Sequence, residues 1–129
     1  WDQLPDTIPI HFSLGGTPDA YGSKDMLGTL PLVAAFMYFF LSYFGARPEM
    51  GNYPWPLTEE NIEMQYRLVR RLIVWLKLET IAIFALITWS TINVATGQAE
   101  ALPSTYMVAL VVAMAFTIAI FLYRMYQER

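Results

Sequence analysis

His11 is the sole histidine of the 129-residue chain, and Asp6 and Asp19 lie close to it in sequence. One imidazole with two carboxylates is a donor set that can hold zinc or a similar ion. Both carboxylates, however, sit on segments interrupted by Pro and Gly. The expectation is therefore no metal and no cofactor, with His11 hydrogen-bonded inside its own loop and fixing its turns. If a metal or a pigment were bound, His11 is the first ligand to test. Asp19 and Lys24 are expected to pair across the same loop, a contact that fastens it. Lys77 and Glu79 lie where a long helix turns apolar, and ionisable groups inside hydrocarbon are functional candidates by default. Lys77 can snorkel to the headgroups. Glu79 lies deeper, so it either pairs with a neighbouring helix or marks a proton or substrate path. Arg67, Arg70 and Arg71 form a basic cluster suited to anionic lipid, to a partner, or simply to topological anchoring. The chain has no Gly-rich phosphate loop, nucleophile elbow, cysteine pair or zinc-protease helix motif, so no enzymatic activity is assigned.

The element that positions these groups is the stretch 58–96. It opens on Thr58, Glu59 and Glu60, carries the arginines, and ends in the apolar run from Ile81 to Ala95. As one helix it is roughly 58 Å long, about twice the hydrocarbon thickness of a bilayer. Its second half can span, and its first half must stand in water or lie on the surface. Glu63 and Arg67 have the favourable i, i+4 order. Ile62, Tyr66, Val69, Ile73, Leu76, Thr80, Ile83, Ile87 and Ser90 recur at alternating spacings of four and three, a seam suited to another helix.

Residues 1–25 are polar and punctuated, with turn signals at Gly15-Gly16 and Thr17-Pro18-Asp19. Ile8, Ile10 and Phe12 alternate with Pro9 and His11, which suggests a short extended piece. Gly22 and Ser23 precede the first span, and Ser23 is the expected N-cap. The spans are read as 26–44, the second half of 58–96, and 102–123. Pro31 predicts a kink or a helix start in the first. Residues 45–57 form a loop broken by Pro48, Pro54 and Pro56, with Trp55 directed at the headgroup layer. Gly97 is expected just past the end of the long helix, near Asn93, which is expected to cap or bridge there.

Composition agrees with that reading. The chain is 56% hydrophobic and 15% charged, against about 25% charged in a typical soluble domain. No charged residue lies between Met26 and Ala46, or between Ala101 and Tyr123. Such runs point to an all-α membrane protein with three transmembrane helices and a short N-terminal loop. The net charge of −3 and the placement of the basic residues leave no nucleic-acid footprint. The absence of cysteine excludes disulfides and thiolate metal sites.

Lysine and arginine are partitioned. One precedes the first span (Lys24), five lie between the first span and the second (Arg47, Arg67, Arg70, Arg71, Lys77), none lies in the Gly97 turn, and two end the chain (Arg124, Arg129). The positive-inside rule then puts the middle connection and the C-terminus in the cytoplasm and the N-terminal loop outside. The expected location is a bacterial plasma membrane. An external loop that begins at Trp1 with no signal peptide leads to the expectation of an earlier span upstream.

The loop reads Leu4-Pro5-Asp6-x-Ile8-Pro9-x-His11-Phe12, then Gly16, Pro18-Asp19 and Gly22-Ser23-Lys24. It resembles the signature of a bacterial membrane domain found in SdpI-type immunity proteins and many small relatives. Asn52-Tyr53-Pro54, Thr58-Glu59-Glu60-Asn61 and Gln65-Tyr66-Arg67 are also similar to members of that group. The resemblance implies a membrane domain whose loop follows a transmembrane helix, absent here. It also implies protection of a producing cell from its own secreted toxin, with signalling by sequestration of a repressor at the membrane. The chain lacks the further C-terminal spans of the longer immunity proteins.

The expected function is a non-enzymatic integral membrane protein. It acts either as an accessory subunit packed against other membrane chains or as an SdpI-like receptor for a secreted peptide. The alternative is a small transporter or proton-coupled channel component that uses Glu79.

Overall fold

The computed structural model describes residues 1–129. A β-hairpin comes first, β1 (Thr7–Phe12) and β2 (Pro18–Ser23), followed by a 3₁₀ turn (Lys24–Gly28). Three α-helices follow: α1 (Thr29–Ala46), α2 (Ile62–Ala95) and α3 (Ser104–Gln127). All three are long and apolar enough to cross a bilayer, so the chain is a multi-pass membrane protein.

The expected loop at residues 1–25 folds as an antiparallel hairpin, with Ile8 opposite Gly22 and Pro9 opposite Tyr21. The register slips between Pro9 and His11. Proline cannot donate to a ladder and is found beside such bulges. Turn residues at 13–17 and the alternation from Ile8 to Phe12 mark the first strand. The second strand, PDAYGS, has little strand propensity, and its pairing with the first is what makes it extended.

The Ser23 hydroxyl accepts the Asp25 amide hydrogen at 3.3 Å and opens the 3₁₀ turn as an N-cap should. Pro31 is the third residue of α1, where its missing N–H has no intrahelical acceptor to lose, so it marks a helix start and not a kink. The long helix begins at Ile62, four residues later than the sequence suggests. Residues Thr58 to Asn61 form a reciprocal turn instead. The Thr58 amide donates to Asn61 Oδ1 at 2.9 Å and the Asn61 amide to Thr58 Oγ1 at 3.3 Å. Even so, α2 is about 51 Å long and outruns the roughly 30 Å hydrocarbon layer. Gly97, at φ +72°, follows the helix as expected. Asn93 closes this end through its backbone, its carbonyl accepting the amides of Gln98 and Ala99.

Helix α2 lies in the middle. It packs against α1 on one side and α3 on the other, while α1 and α3 scarcely meet. Every residue of the predicted seam, Ile62 through Ser90, is buried or half-buried. Gly45 of α1 abuts Ile73, where a Cβ would stand 3.1 Å from the isoleucine Cγ2. A small residue there lets the two helices approach closely. Only 13 of 129 residues are buried, so the apolar side chains have mostly turned outward. Phe36, Phe39 and Phe116 are each more than 60% exposed. In water that surface would aggregate; in hydrocarbon it faces its solvent.

The one buried apolar cluster is Leu68, Phe121 and Met125, covered by Tyr53, Trp55, Met64, Val69 and Leu72. It joins the first half of α2 to the end of α3 and to the proline-rich loop. Gln65, fully buried, completes it by donating from Nε2 to the carbonyls of Met125 at 2.8 Å and Glu128 at 3.0 Å. These are among the carbonyls that a helix end leaves without intrahelical donors. Trp55, expected in the headgroup layer, sits against the protein, with its ring edge-on to Tyr126 at 5.7 Å. The Glu63–Arg67 ion pair expected from spacing does not form.

Candidate functional site: a cavity under the hairpin and two polar contacts between the spans

The hairpin is held to the far end of the helices at its tip. The Leu102 amide donates to the Gly16 carbonyl at 2.8 Å. Gly16 has φ +85°, and a Cβ there would collide with the Leu102 carbonyl oxygen. Only glycine meets both conditions without strain. Strand β1 packs on α2, and Ile8 is 1% exposed there.

Between hairpin and helices lies an apolar cavity of about 560 Å³. Its walls include Phe12 and Leu14 of the hairpin, Leu30 of α1, Ile87 of α2, and Met107 and Val111 of α3. Its polar members are His11, Ser13 and Ser104. All three helices and the hairpin contribute, so the cavity exists because α1 and α3 diverge on either side of α2 and the hairpin bridges the gap.

His11 points its Nδ1 at Asp19 Oδ1, 2.5 Å away, across the strand pair. This is the loop-fixing hydrogen bond expected of His11. Its partner Asp19 is thereby taken from Lys24, and the expected Asp19–Lys24 pair is replaced. Lys24 binds Asp6 at 2.9 Å instead and faces the Trp1 ring at 5.9 Å. The hydrogen bond and charge of Lys24 hold the Asp6 carboxyl below its ordinary value. No third ligating side chain joins His11 and Asp19. Pro9 is buried in β1, Gly22 lies against Ile10 and Met26, and Ser23 caps the turn, so these loop residues build the hairpin.

Within the spans, Lys77 and Glu79 each find a partner on a neighbouring helix, Lys77 on α1 and Glu79 on α3. Lys77 reaches across to α1, donating to Ser42 Oγ at 3.0 Å with its ammonium 4.8 Å from the Tyr38 ring centre. Glu79 turns the other way, to α3. Thr117 Oγ1 donates to its Oε1 at 2.6 Å, while Oε2 is buried with no partner. A single turn of α2 thus makes one polar contact to each neighbouring helix. The contacts of Thr117, Ser42 and Gln65 are not readable from the sequence, because a single polar residue in or beside an apolar run carries no signal of its partner.

Arg67, Arg70 and Arg71 are exposed on the first half of α2, outside the apolar run. Nearby, the Tyr53 hydroxyl donates to the Pro48 carbonyl at 2.9 Å. Burial, together with Tyr66 and Glu49, pushes its pKa up to about 12, and Arg70 opposes the shift.

Residues 1–36 match the family described as a domain of unknown function, DUF1648. An uncharacterised protein of Archaeoglobus fulgidus is 52% identical over 33 residues. Those residues are 26% of this chain and 18% of that protein, so the chain spans less than a fifth of the relative's length. No solved structure matches. The match to DUF1648 ends before the run from Asn52 to Arg67, and it takes in the hairpin, the 3₁₀ turn and the first two turns of α1, the segment that roofs the cavity.

Proposed function

We propose that the chain is a non-enzymatic receptor of the membrane, SdpI-like in its role. It would take an apolar segment of a secreted peptide into the cavity beneath the hairpin. The carrying observation is the cavity itself: about 560 Å³, apolar within, with His11, Ser13 and Ser104 as its polar members. Such a site recognises shape and apolar surface and uses a few polar groups for orientation. On this reading the hairpin faces the outside and the arginine end the cytoplasm of a bacterial plasma membrane, as the lysine and arginine partition supports. The chain has no cysteine, so Leu14→Cys and Glu59→Cys can be labelled singly in intact cells. Impermeant maleimide should reach the first only.

Deleting the gene from its host should sensitise cells to a secreted peptide, and Val111→Trp, which places an indole in the cavity wall, should do the same with the protein still folded. Unchanged survival in both sinks the immunity role. It leaves the reading in which the chain packs as an accessory subunit among other membrane chains.

Glu79 favours a second reading. A buried carboxylate oxygen without a partner, inside a span, suits a proton-coupled transporter or channel component. Loss of a flux in Glu79→Gln with the fold intact supports it; unchanged flux removes it.

A further inference from the structure

Two grooves meet at Trp75. The first, about 240 Å³, is lined by Arg67, Arg70, Arg71 and Val74 with Trp75. The second, about 370 Å³, is lined by Thr117, Ile120, Phe121 and Arg124 with Trp75. They converge because Arg67, Arg71 and Trp75 follow one another at i, i+4 on a single face of α2, and the last turn of α3 brings Arg124 alongside. Trp75 is 52% exposed.

These four arginines are also uncommitted. None makes an ion pair, and no arginine guanidinium in the chain donates a hydrogen bond to a protein group. Arg47 and Arg129 differ: each guanidinium lies over a tyrosine ring, at 4.1 Å from Tyr43 and 3.9 Å from Tyr126. Glu63 and Glu128, the acids flanking the cluster, pair with none of the four. The level is the right one for a headgroup. Ile73 packs at the end of α1, and two residues further along α2 Trp75 marks the border between polar and apolar layers.

We propose that this junction binds an anionic phospholipid. The phosphate lies among Arg67, Arg71 and Arg124, where guanidinium forks match phosphate oxygens, and Arg70 adds charge at the edge. An acyl chain runs into the second groove, over Trp75, Ile120 and Phe121. Charge complementarity favours this occupant over a neutral lipid. An apolar groove continuous with the arginines favours it over a free anion, which would leave that groove unused. The site is at the opposite end of the molecule from the hairpin cavity and does not depend on what that cavity takes.

The test uses the full chain in nanodiscs doped with phosphatidylglycerol or phosphatidylcholine brominated on the acyl chains. Trp75 fluorescence is isolated as the difference between the wild type and Trp75→Phe. Brominated phosphatidylglycerol should quench Trp75 at lower mole fraction than brominated phosphatidylcholine. The preference should fall about fivefold for each of Arg71→Gln and Arg124→Gln. Arg129→Gln, whose guanidinium is engaged by Tyr126, should leave it unchanged, and circular dichroism confirms that each variant is folded. Equal quenching by the two lipids overturns the proposal. So does a preference that survives the Arg71→Gln, Arg124→Gln double variant, and so does full protection by millimolar inorganic phosphate, which would identify a site for free anion.

Discussion

Gly16 and Leu102 touch backbone to backbone. The Leu102 amide donates to the Gly16 carbonyl at 2.8 Å, and there is no space for a methyl group at Gly16. A hairpin tip and the turn that leads into α3 are joined in this way across 86 residues of chain. The roof of the cavity is held there.

Gly16→Ala should loosen that roof. It forces an L-residue to φ +85° and drives a Cβ into the Leu102 carbonyl. A loss of about 1–3 kcal/mol is expected. Thermal unfolding in detergent measures it, and Gly15→Ala is the control, since a Cβ there meets only Ser13 Oγ at 3.7 Å.

At the other end, Gln65→Leu should be costly although it replaces a polar residue by an apolar one in a buried site. The Met125 and Glu128 carbonyls lose their side-chain donor, and stranding the buried Met125 acceptor costs about 1–3 kcal/mol. Hydrogen exchange should show the last turn of α3 fraying. Gln127→Leu, on the exposed face of the same turn, should change stability by less than about 0.5 kcal/mol. Equal effects from the two would mean that Gln65 fills space and does not cap.

Alkaline pH should weaken the loop that covers this cluster. The Tyr53 phenol is raised from 10.0 to about 12 in the fold, so the folded state keeps its proton longer than the unfolded one. Its contribution is fully present below pH 10 and is lost as pH rises toward 12. Tyr53→Phe should remove that part of the alkaline loss. Absorbance at the phenolate band, compared between wild type and variant, locates the titration.

Acid acts on the hairpin through Asp6. Its folded pKa is depressed, so the Lys24 bridge contributes above the ordinary value of 3.8 and is lost as pH falls through the lower folded one. Asp6→Asn should abolish the acid dependence of Trp1 fluorescence, which reports the lysine seated over that ring. The carboxylate is exposed, so the effect on overall stability should be small.

Much of this molecule is legible in its amino-acid sequence. Hydrocarbon is a severe solvent, and its demand for long charge-free runs is local, so the stretches after Asp25 and after Glu100 announce spans by themselves. Helical period made the seam from Ile62 to Ser90 readable for the same reason, and Ser23 and Gly97 are end signals that act within one turn. The uneven distribution of lysine and arginine is likewise a property of the string. What the string could not contain is partner choice. Asp19 lies equally plausibly beside Lys24 or His11 until the bulge at Ile10 sets the strand register. Glu79 finds Thr117, Lys77 finds Ser42, and Gln65 finds the end of α3 only once the helices slide to a particular level against one another. That level is a sum over many weak packing contacts spread along both faces of α2, so no short window of residues encodes it, and the tertiary structure alone decides which polar groups meet.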